Sequence, residues 1–385
     1  MTQDSDDMQD TANQTVQNYN QHRMLIISTG GTIGGNVASD KQEGEDFEYN
    51  KSDSFAQLIK GVITSYKRKY KVEIVPIPLE LYDEDSSDIK PQHWVGIAEK
   101  IYKEYDNYDS FVVAHGTNTM GYTTAALSFI FPNLGKPVIF TGSQVPIGLP
   151  GSDAQTNLEN AVRLAALPPT VHQIRGVIVV FGSYIISGAR VKKDTEFDYD
   201  AFKSFNVGAI GRVGRKFDID VANLNTHLSY QTHMDWRVAN EKSKLRFLPD
   251  FETNILSLTE YPGFEPELLT KFVDLGVKGF IIRAFGAGDM STSFQDVLQQ
   301  LKARKIPVVA TTQSPNGRAT MRVNEPGEYL LENGLAIPAH DMSIEAQTAK
   351  LMWLLAQLGK NEISFEQLST QMLLDLRGEV QYIED

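Results

Sequence analysis

Phe111-Val112-Val113-Ala114-His115-Gly116-Thr117-Asn118-Thr119-Met120 is a short apolar run that stops at a glycine, with two threonines and an amide residue following where the backbone turns toward a helix. A parallel α/β sheet presents side chains in this way at the carboxyl ends of its strands, where ligands of such folds bind. A second stretch of the same kind lies upstream. There Met24 to Thr29 is an apolar strand that runs into Gly30-Gly31-Thr32-Ile33-Gly34-Gly35.

Outward from these two stretches, apolar strands and amphipathic helices alternate. Strands are expected at Val72–Pro76, Val138–Thr141 and Val177–Phe181. Helices are expected at Gln92–Tyr105, Tyr122–Phe131 and Asp153–Ala166, where Leu158, Ala161, Val162 and Ala165 share one face. Strand, helix, strand in repetition predicts a mostly parallel, doubly wound sheet. The pattern loosens from Val207 to Ser243 and returns after Leu248, with strands at 255–258, 279–284 and 308–312 and helices at 265–275, 295–304 and 344–358. The expected fold is therefore α/β in two domains: a larger N-terminal mostly parallel, doubly wound sheet and a smaller C-terminal α/β domain. The boundaries read as a disordered tail at 1–23, an N-terminal domain at 24–212, a linker at 213–249 and a C-terminal domain at 250–385.

The tail is rich in Gln, Asn, Asp and Thr and cannot bury enough apolar surface to order itself. It has neither the basic start nor the apolar core of a secretory signal, so a cytoplasmic protein is expected. No apolar run approaches the roughly 18 residues of a membrane span. A net charge of -13 argues against a protein that tracks phosphates, so neither nucleic acid nor membrane is an expected partner. With no cysteine, a thiolate metal site and a cysteine nucleophile are excluded, and the seven histidines show no metal-ligand spacing. The glycine-rich string fits neither Gly-x-Gly-x-x-Gly nor a Walker loop.

Threonine hydroxyls are weak nucleophiles unless a base takes their proton, and a lysine can serve only where its site favours the neutral amine. Gly30 and Gly31 alone would be turn glycines, and Lys193 alone a solvated surface lysine. His115 is tempting as a base, yet a histidine at a strand end is more often structural.

The pair Thr29-Gly30-Gly31-Thr32-Ile33 and His115-Gly116-Thr117-Asn118-Thr119-Met120 resembles the two signature segments of the bacterial-type L-asparaginase family. Thr141-Gly142-Ser143-Gln144-Val145-Pro146 and Asp341-Met342-Ser343-Ile344-Glu345-Ala346 extend the likeness to its cytoplasmic type I subgroup. The resemblance implies hydrolysis of the L-asparagine side-chain amide to L-aspartate and ammonia, without a cofactor or metal. It assigns Thr32 as nucleophile, Thr117 as the second catalytic threonine, Lys193 as its paired lysine and Tyr49 as the tyrosine of a mobile loop. Lys193 is preferred to Lys192 because Asp200 to Ser204 resembles the segment that follows the family's lysine. Ser86 and Ser87 are implied to bind the substrate carboxylate. The resemblance also implies a homodimer or homotetramer in which a neighbouring subunit's Asp289 completes the site.

Two positions depart from the family pattern. At Asp289 family members often carry an asparagine, and the carboxylate here either restores the charge that Asn118 lacks or is a natural variant with a proton-sharing or rim role. The family carries an aspartate where this chain has Asn118, the residue that receives the substrate ammonium and orients the lysine. A neutral amide gives up a charge-assisted bond roughly twice as strong as an uncharged one, so impaired turnover is expected. Two explanations stand: a form altered to hold substrate, or a natural member with changed activity. Two other classes stand beside the hydrolase, a non-catalytic binder of asparagine or aspartate and an amidotransferase subunit of the same fold. The short stretch before Met24 counts against the latter.

Overall fold

A computed structural model of the chain describes residues 21–30, 51–70, 73–82, 85–167, 174–229 and 245–382. The N-terminal unit is built on an eight-stranded sheet. Its first five strands are β1 (Gln21–Ser28), β2 (Glu73–Glu80), β3 (Ser110–Ala114), β4 (Pro137–Thr141) and β5 (Gly176–Phe181). These five are mutually parallel in the order β5-β4-β3-β1-β2. Antiparallel β6 (Tyr184–Ser187), β9 (Gly211–Val213) and β10 (Phe217–Ile219) extend the sheet beyond β5. A separate hairpin pairs β7 (Val191–Lys193) with β8 (Phe202–Ser204).

Strands β3, β4 and β5, and β1 from Met24 onward, are almost continuously apolar because both faces are covered. Leu25, Ile27, Phe111, Val113 and Phe140 point to one side, where they meet helices α2 (Pro91–Glu104) and α3 (Met120–Ile130). Met24, Ile26, Val112, Ala114 and Ile139 point to the other, against α1 (Lys51–Tyr70) and α4 (Ala154–Ala165). Alternation with period two sends successive residues of one strand into two different cores.

The smaller unit has four parallel strands in the order β11 (Ile255–Thr259), β12 (Gly279–Ala284), β13 (Val308–Thr312) and β14 (Ile337–Pro338). One face packs with Leu269 of α6 (Leu268–Asp274) and with Leu298 and Leu301 of α7 (Gln295–Ala303). The other, through Ile281 and Val309, joins the core shared with the N-terminal unit. Helix α9 (Ile344–Gly359) lies at that junction, where Trp353 stacks on Phe129 of α3 with ring centroids 5.8 Å apart.

This is the expected two-domain α/β fold, with three differences in detail. Residues 21–23, assigned to the tail, belong to β1 and pair with 73–75 of β2. The stretch read as linker from 213 onward carries β10 and helix α5 (Val221–Ser229), and β10 completes the large sheet. Three-residue strands are too short to show a period, which is why the region reads as irregular. The short strands β6, β7, β8 and β14 and the helices α1, α8 (Glu325–Glu332) and α10 (Phe365–Leu373) also carry no assignment in the sequence reading.

Candidate active site

The sheet order makes β1 and β3 a switch point, since the chain leaves β1 toward β2 on one side and β3 toward β4 on the other. A crevice opens beyond the carboxyl ends of such a pair. Thr29, just past β1, is held there by its backbone N–H, which donates to the Ala114 carbonyl at 3.0 Å, and by its hydroxyl, which donates to the same oxygen at 3.2 Å. Gly30 then takes φ +84°, a left-handed conformation that glycine adopts without strain. Thr32 and Tyr49 lie outside the described residues.

Past β3, Thr117 and Asn118 face a short turn, Ser86–Asp88, that is capped by Asp85 accepting from the Ser87 N–H at 2.8 Å. The Asn118 N–H donates to Ser86 Oγ at 3.2 Å, Asn118 Nδ2 donates to Ser87 Oγ at 3.2 Å, and the Thr119 hydroxyl donates to the Ser86 carbonyl at 2.6 Å. Gly116 allows this approach: a Cβ there would sit 2.5 Å from Ser86 Cβ and 2.7 Å from its Oγ. Lys193, the last residue of β7, brings its amine to the same place. Its Nζ donates to Thr117 Oγ1 and to Asn118 Oδ1, both at 2.8 Å. Burial lowers the Lys193 pKa below the ordinary lysine range, and Glu196 partly offsets this. A neutral amine is what a general base requires. Lys192 points elsewhere, over the Phe205 ring and toward the Pro315 carbonyl.

Thr117, Asn118, Lys193, Ser86 and Ser87 therefore form one hydrogen-bonded group drawn from three elements. Asp289 is held separately in the C-terminal unit, where its Oδ2 accepts from Asn324 Nδ2 at 2.6 Å. Its Oδ1 is buried close to Gly327 in the first turn of α8 and has no hydrogen-bond partner among the described residues.

His115 is fully buried, with Nδ1 on the Gly116 carbonyl at 2.7 Å and Nε2 on Thr123 Oγ1 at 3.0 Å. Burial lowers its pKa to about 4, so the ring is neutral and ties the turn to α3. The sequence reading passed over Ser143. It sits at the carboxyl end of β4, beside β3, and its buried hydroxyl lacks a hydrogen-bond partner among the described residues. The signal was present in Thr141-Gly142-Ser143-Gln144, which served only as a family match.

A threonine hydroxyl hydrogen-bonded to a partly buried lysine at the switch point of a parallel sheet is an arrangement in which a hydroxyl can be activated by an amine. Residues 23–225 match the family "Asparaginase, N-terminal" and residues 254–368 match "Glutaminase/Asparaginase C-terminal domain". The chain belongs to the asparaginase family. It is 37% identical over 298 residues to L-asparaginase 1 of Escherichia coli (strain K12), covering 77% of this chain and 82% of that one. It is 31% identical to a glutamyl-tRNA(Gln) amidotransferase subunit of Pyrococcus abyssi, covering 93% of this chain and 76% of that one. The crystal structure of L-asparaginase I from Vibrio cholerae superposes with a TM-score of 0.75 at 31% identity, covering 94% of this chain and all of that one.

Proposed function

We propose that the chain is a cytoplasmic L-asparaginase that hydrolyses the side-chain amide of L-asparagine through a threonine acyl-enzyme. In this reading the Thr32 hydroxyl, polarised by Tyr49, attacks the carboxamide carbon. The C–N bond breaks and the nitrogen leaves, with the hydroxyl proton, as ammonia. Lys193, acting through Thr117, then takes a proton from the water that cleaves the acyl bond, which frees aspartate and restores the Thr32 hydroxyl. Backbone N–H groups near Thr117 stabilise the oxyanion, and Ser86 and Ser87 receive the substrate carboxylate. The observation that carries the reading is the 2.8 Å bond from the Lys193 amine to Thr117, with burial favouring the neutral amine.

Asn118 supplies the lysine with an acceptor but no charge. Replacing it, Asn118→Asp, is expected to raise steady-state ammonia release by about a hundredfold or more, as for restoring a positioned catalytic group. An unchanged rate rules out this role for the position. One observation favours a second reading, a binder without turnover: both ends of the Asn118 amide are satisfied, by Lys193 and by Ser87. Calorimetry that finds asparagine binding while both forms release no ammonia would decide for it.

The assembly in this reading is a homodimer or homotetramer whose sites are completed by Asp289 of a second copy. Chains carrying Thr117→Ala and Asp289→Ala, each in the Asn118→Asp background, should then restore activity to one another when mixed and refolded. Failure to do so despite exchange of chains places Asp289 outside the shared site.

A further inference from the structure

Lys193 owes its place to the strand that carries it, and that strand is held from the far end of the chain. The turn Gly188–Arg190 leads directly into β7. The Arg190 side chain points away from the site and is buried, as is its partner Asp341. Arg190 Nη1 donates to Asp341 Oδ2 at 2.9 Å and to the Asp341 carbonyl at 3.2 Å, and Nε donates to the Gly378 carbonyl at 2.5 Å. The other Asp341 carboxylate oxygen accepts from the Gln381 N–H at 2.7 Å.

The same C-terminal segment reaches the helix that follows Thr117. Arg377 Nε donates to the Ser128 carbonyl of α3 at 2.8 Å. Helix and turn are also tied to each other, since the Thr124 hydroxyl donates to the Gly188 carbonyl at 2.9 Å. The segment is anchored in turn by Glu379, which pairs with Lys350 of α9 at 2.6 Å, both side chains fully buried. The element carrying Lys193 and the helix following Thr117 are thus clamped by residues 341 and 377–381. A buried guanidinium held on two edges has a fixed orientation, which a lysine ammonium cannot reproduce.

We propose that Arg190 is a positioning residue: gripped by Asp341 and the Gly378 carbonyl, it fixes the start of β7 so that the Lys193 amine lies on Thr117. The inference rests on the reading above in which that lysine works with Thr117. It makes the chain's C-terminal segment a determinant of catalysis without contact with substrate.

The test uses the full chain in the Asn118→Asp background, with Asp341→Asn, Arg190→Gln and Arg190→Lys. Three experiments are made: steady-state kinetics giving kcat and KM for asparagine, thermal unfolding, and acetylation of Lys193 by acetic anhydride across pH, followed by mass spectrometry with the exposed Lys60 as reference. Asp341→Asn keeps the shape of the pair and is expected to lower kcat by about ten- to a hundredfold, as for a small misplacement of a catalytic group, with KM within about twofold. The Lys193 acetylation midpoint moves toward ordinary lysine and that of Lys60 stays put. Arg190→Lys recovers part of what Arg190→Gln loses.

Folded variants with kcat and the Lys193 acetylation profile both unchanged would overturn the proposal, as would a loss of kcat that only follows the loss of folded protein. Should Arg190→Gln fail to fold, the near-isosteric Asp341→Asn carries the decision. A parent that releases no ammonia would defeat the asparaginase reading, while the acetylation profile would still report whether Arg190 positions the amine.

Discussion

At the carboxyl end of β3 the Thr117 hydroxyl meets an amine brought from another element, whereas at the carboxyl end of β13 the hydroxyls of Thr311 and Thr312 serve their own domain. Thr312 Oγ1 donates to the Gly286 carbonyl at 2.7 Å and accepts from the Ser314 N–H at 3.0 Å. Thr311 Oγ1 accepts from Gln347 Nε2 at 2.9 Å. Both strands are parallel, apolar and followed by polar turns, so strand type does not separate them. What separates them is convergence. Around Thr117 come a serine turn from beyond β2, a lysine from the β7–β8 hairpin and the end of β1, at a point where strand order reverses. Around Thr312 the partners come from the adjoining loops, and the bonds hold those loops in shape.

The largest expected effect tests that convergence directly. Lys193→Met, in the Asn118→Asp background, removes the amine but keeps an apolar stem of similar length. It is expected to lower kcat by about a thousandfold, within the range found for a positioned general base, with the far-ultraviolet circular dichroism unchanged. A loss of less than about tenfold would place the base elsewhere and dissolve the distinction between the two strand ends.

A second expectation concerns what burial does to polar groups that serve the scaffold. His115, beside Thr117, and His227, which contacts Ser187 at 2.9 Å and the Arg175 carbonyl at 3.1 Å, are both buried. Burial lowers each from 6.5 to about 4. Each ring is neutral in the fold, and between those two values the unfolded chain binds the more protons. The stabilising contribution of the two rings is therefore full above pH ~6.5 and is lost as the pH drops toward ~4, by about 2 kcal/mol per histidine between pH ~7 and ~5. Urea unfolding at the two pH values gives the slope of the whole chain, to which other titrating groups also contribute, and His115→Gln should reduce it by the share of one histidine, about 2 kcal/mol. A slope that the substitution leaves unchanged would mean that His115 is not held neutral, which would reopen it as a base for Thr117.

The parts of this arrangement that were legible in the sequence are those written in local pattern. Strands β3, β4 and β5, and β1 from Met24 onward, read as apolar runs because both of their faces are covered. The loops after β1 and β3 stand out because glycine and threonine interrupt those runs. Pairings across the chain were not legible. Asn118 meets Ser86 across 32 positions and Arg190 meets Asp341 across 151, and no periodicity encodes either contact. Likeness to a family supplied Ser86, Ser87 and Lys193, since a lone lysine carries no local mark of burial. It supplied nothing for Arg190, or for Ser143, whose buried hydroxyl, without a hydrogen-bond partner among the described residues, is visible only once β4 is set beside β3.

The smallest expected effect lies at the other strand end. Thr312→Val keeps the branched shape and removes the hydroxyl, leaving the Gly286 carbonyl and the Ser314 N–H without that partner. A typical hydrogen bond of this kind contributes about 1 kcal/mol, and more where a group is left unsatisfied, so unfolding free energy should fall by about 1 to 2 kcal/mol. Because the bonds run between adjoining loops, turnover in the Asn118→Asp background should stay within about threefold, far from the change at Lys193. The two measurements separate the alternatives. A stability loss with turnover kept identifies the β13 hydroxyls as supports for their own loops. A collapse of turnover at unchanged stability would mean that the smaller sheet's strand end also faces substrate, in this chain or in a second copy, and that convergence at β3 is only half of the site.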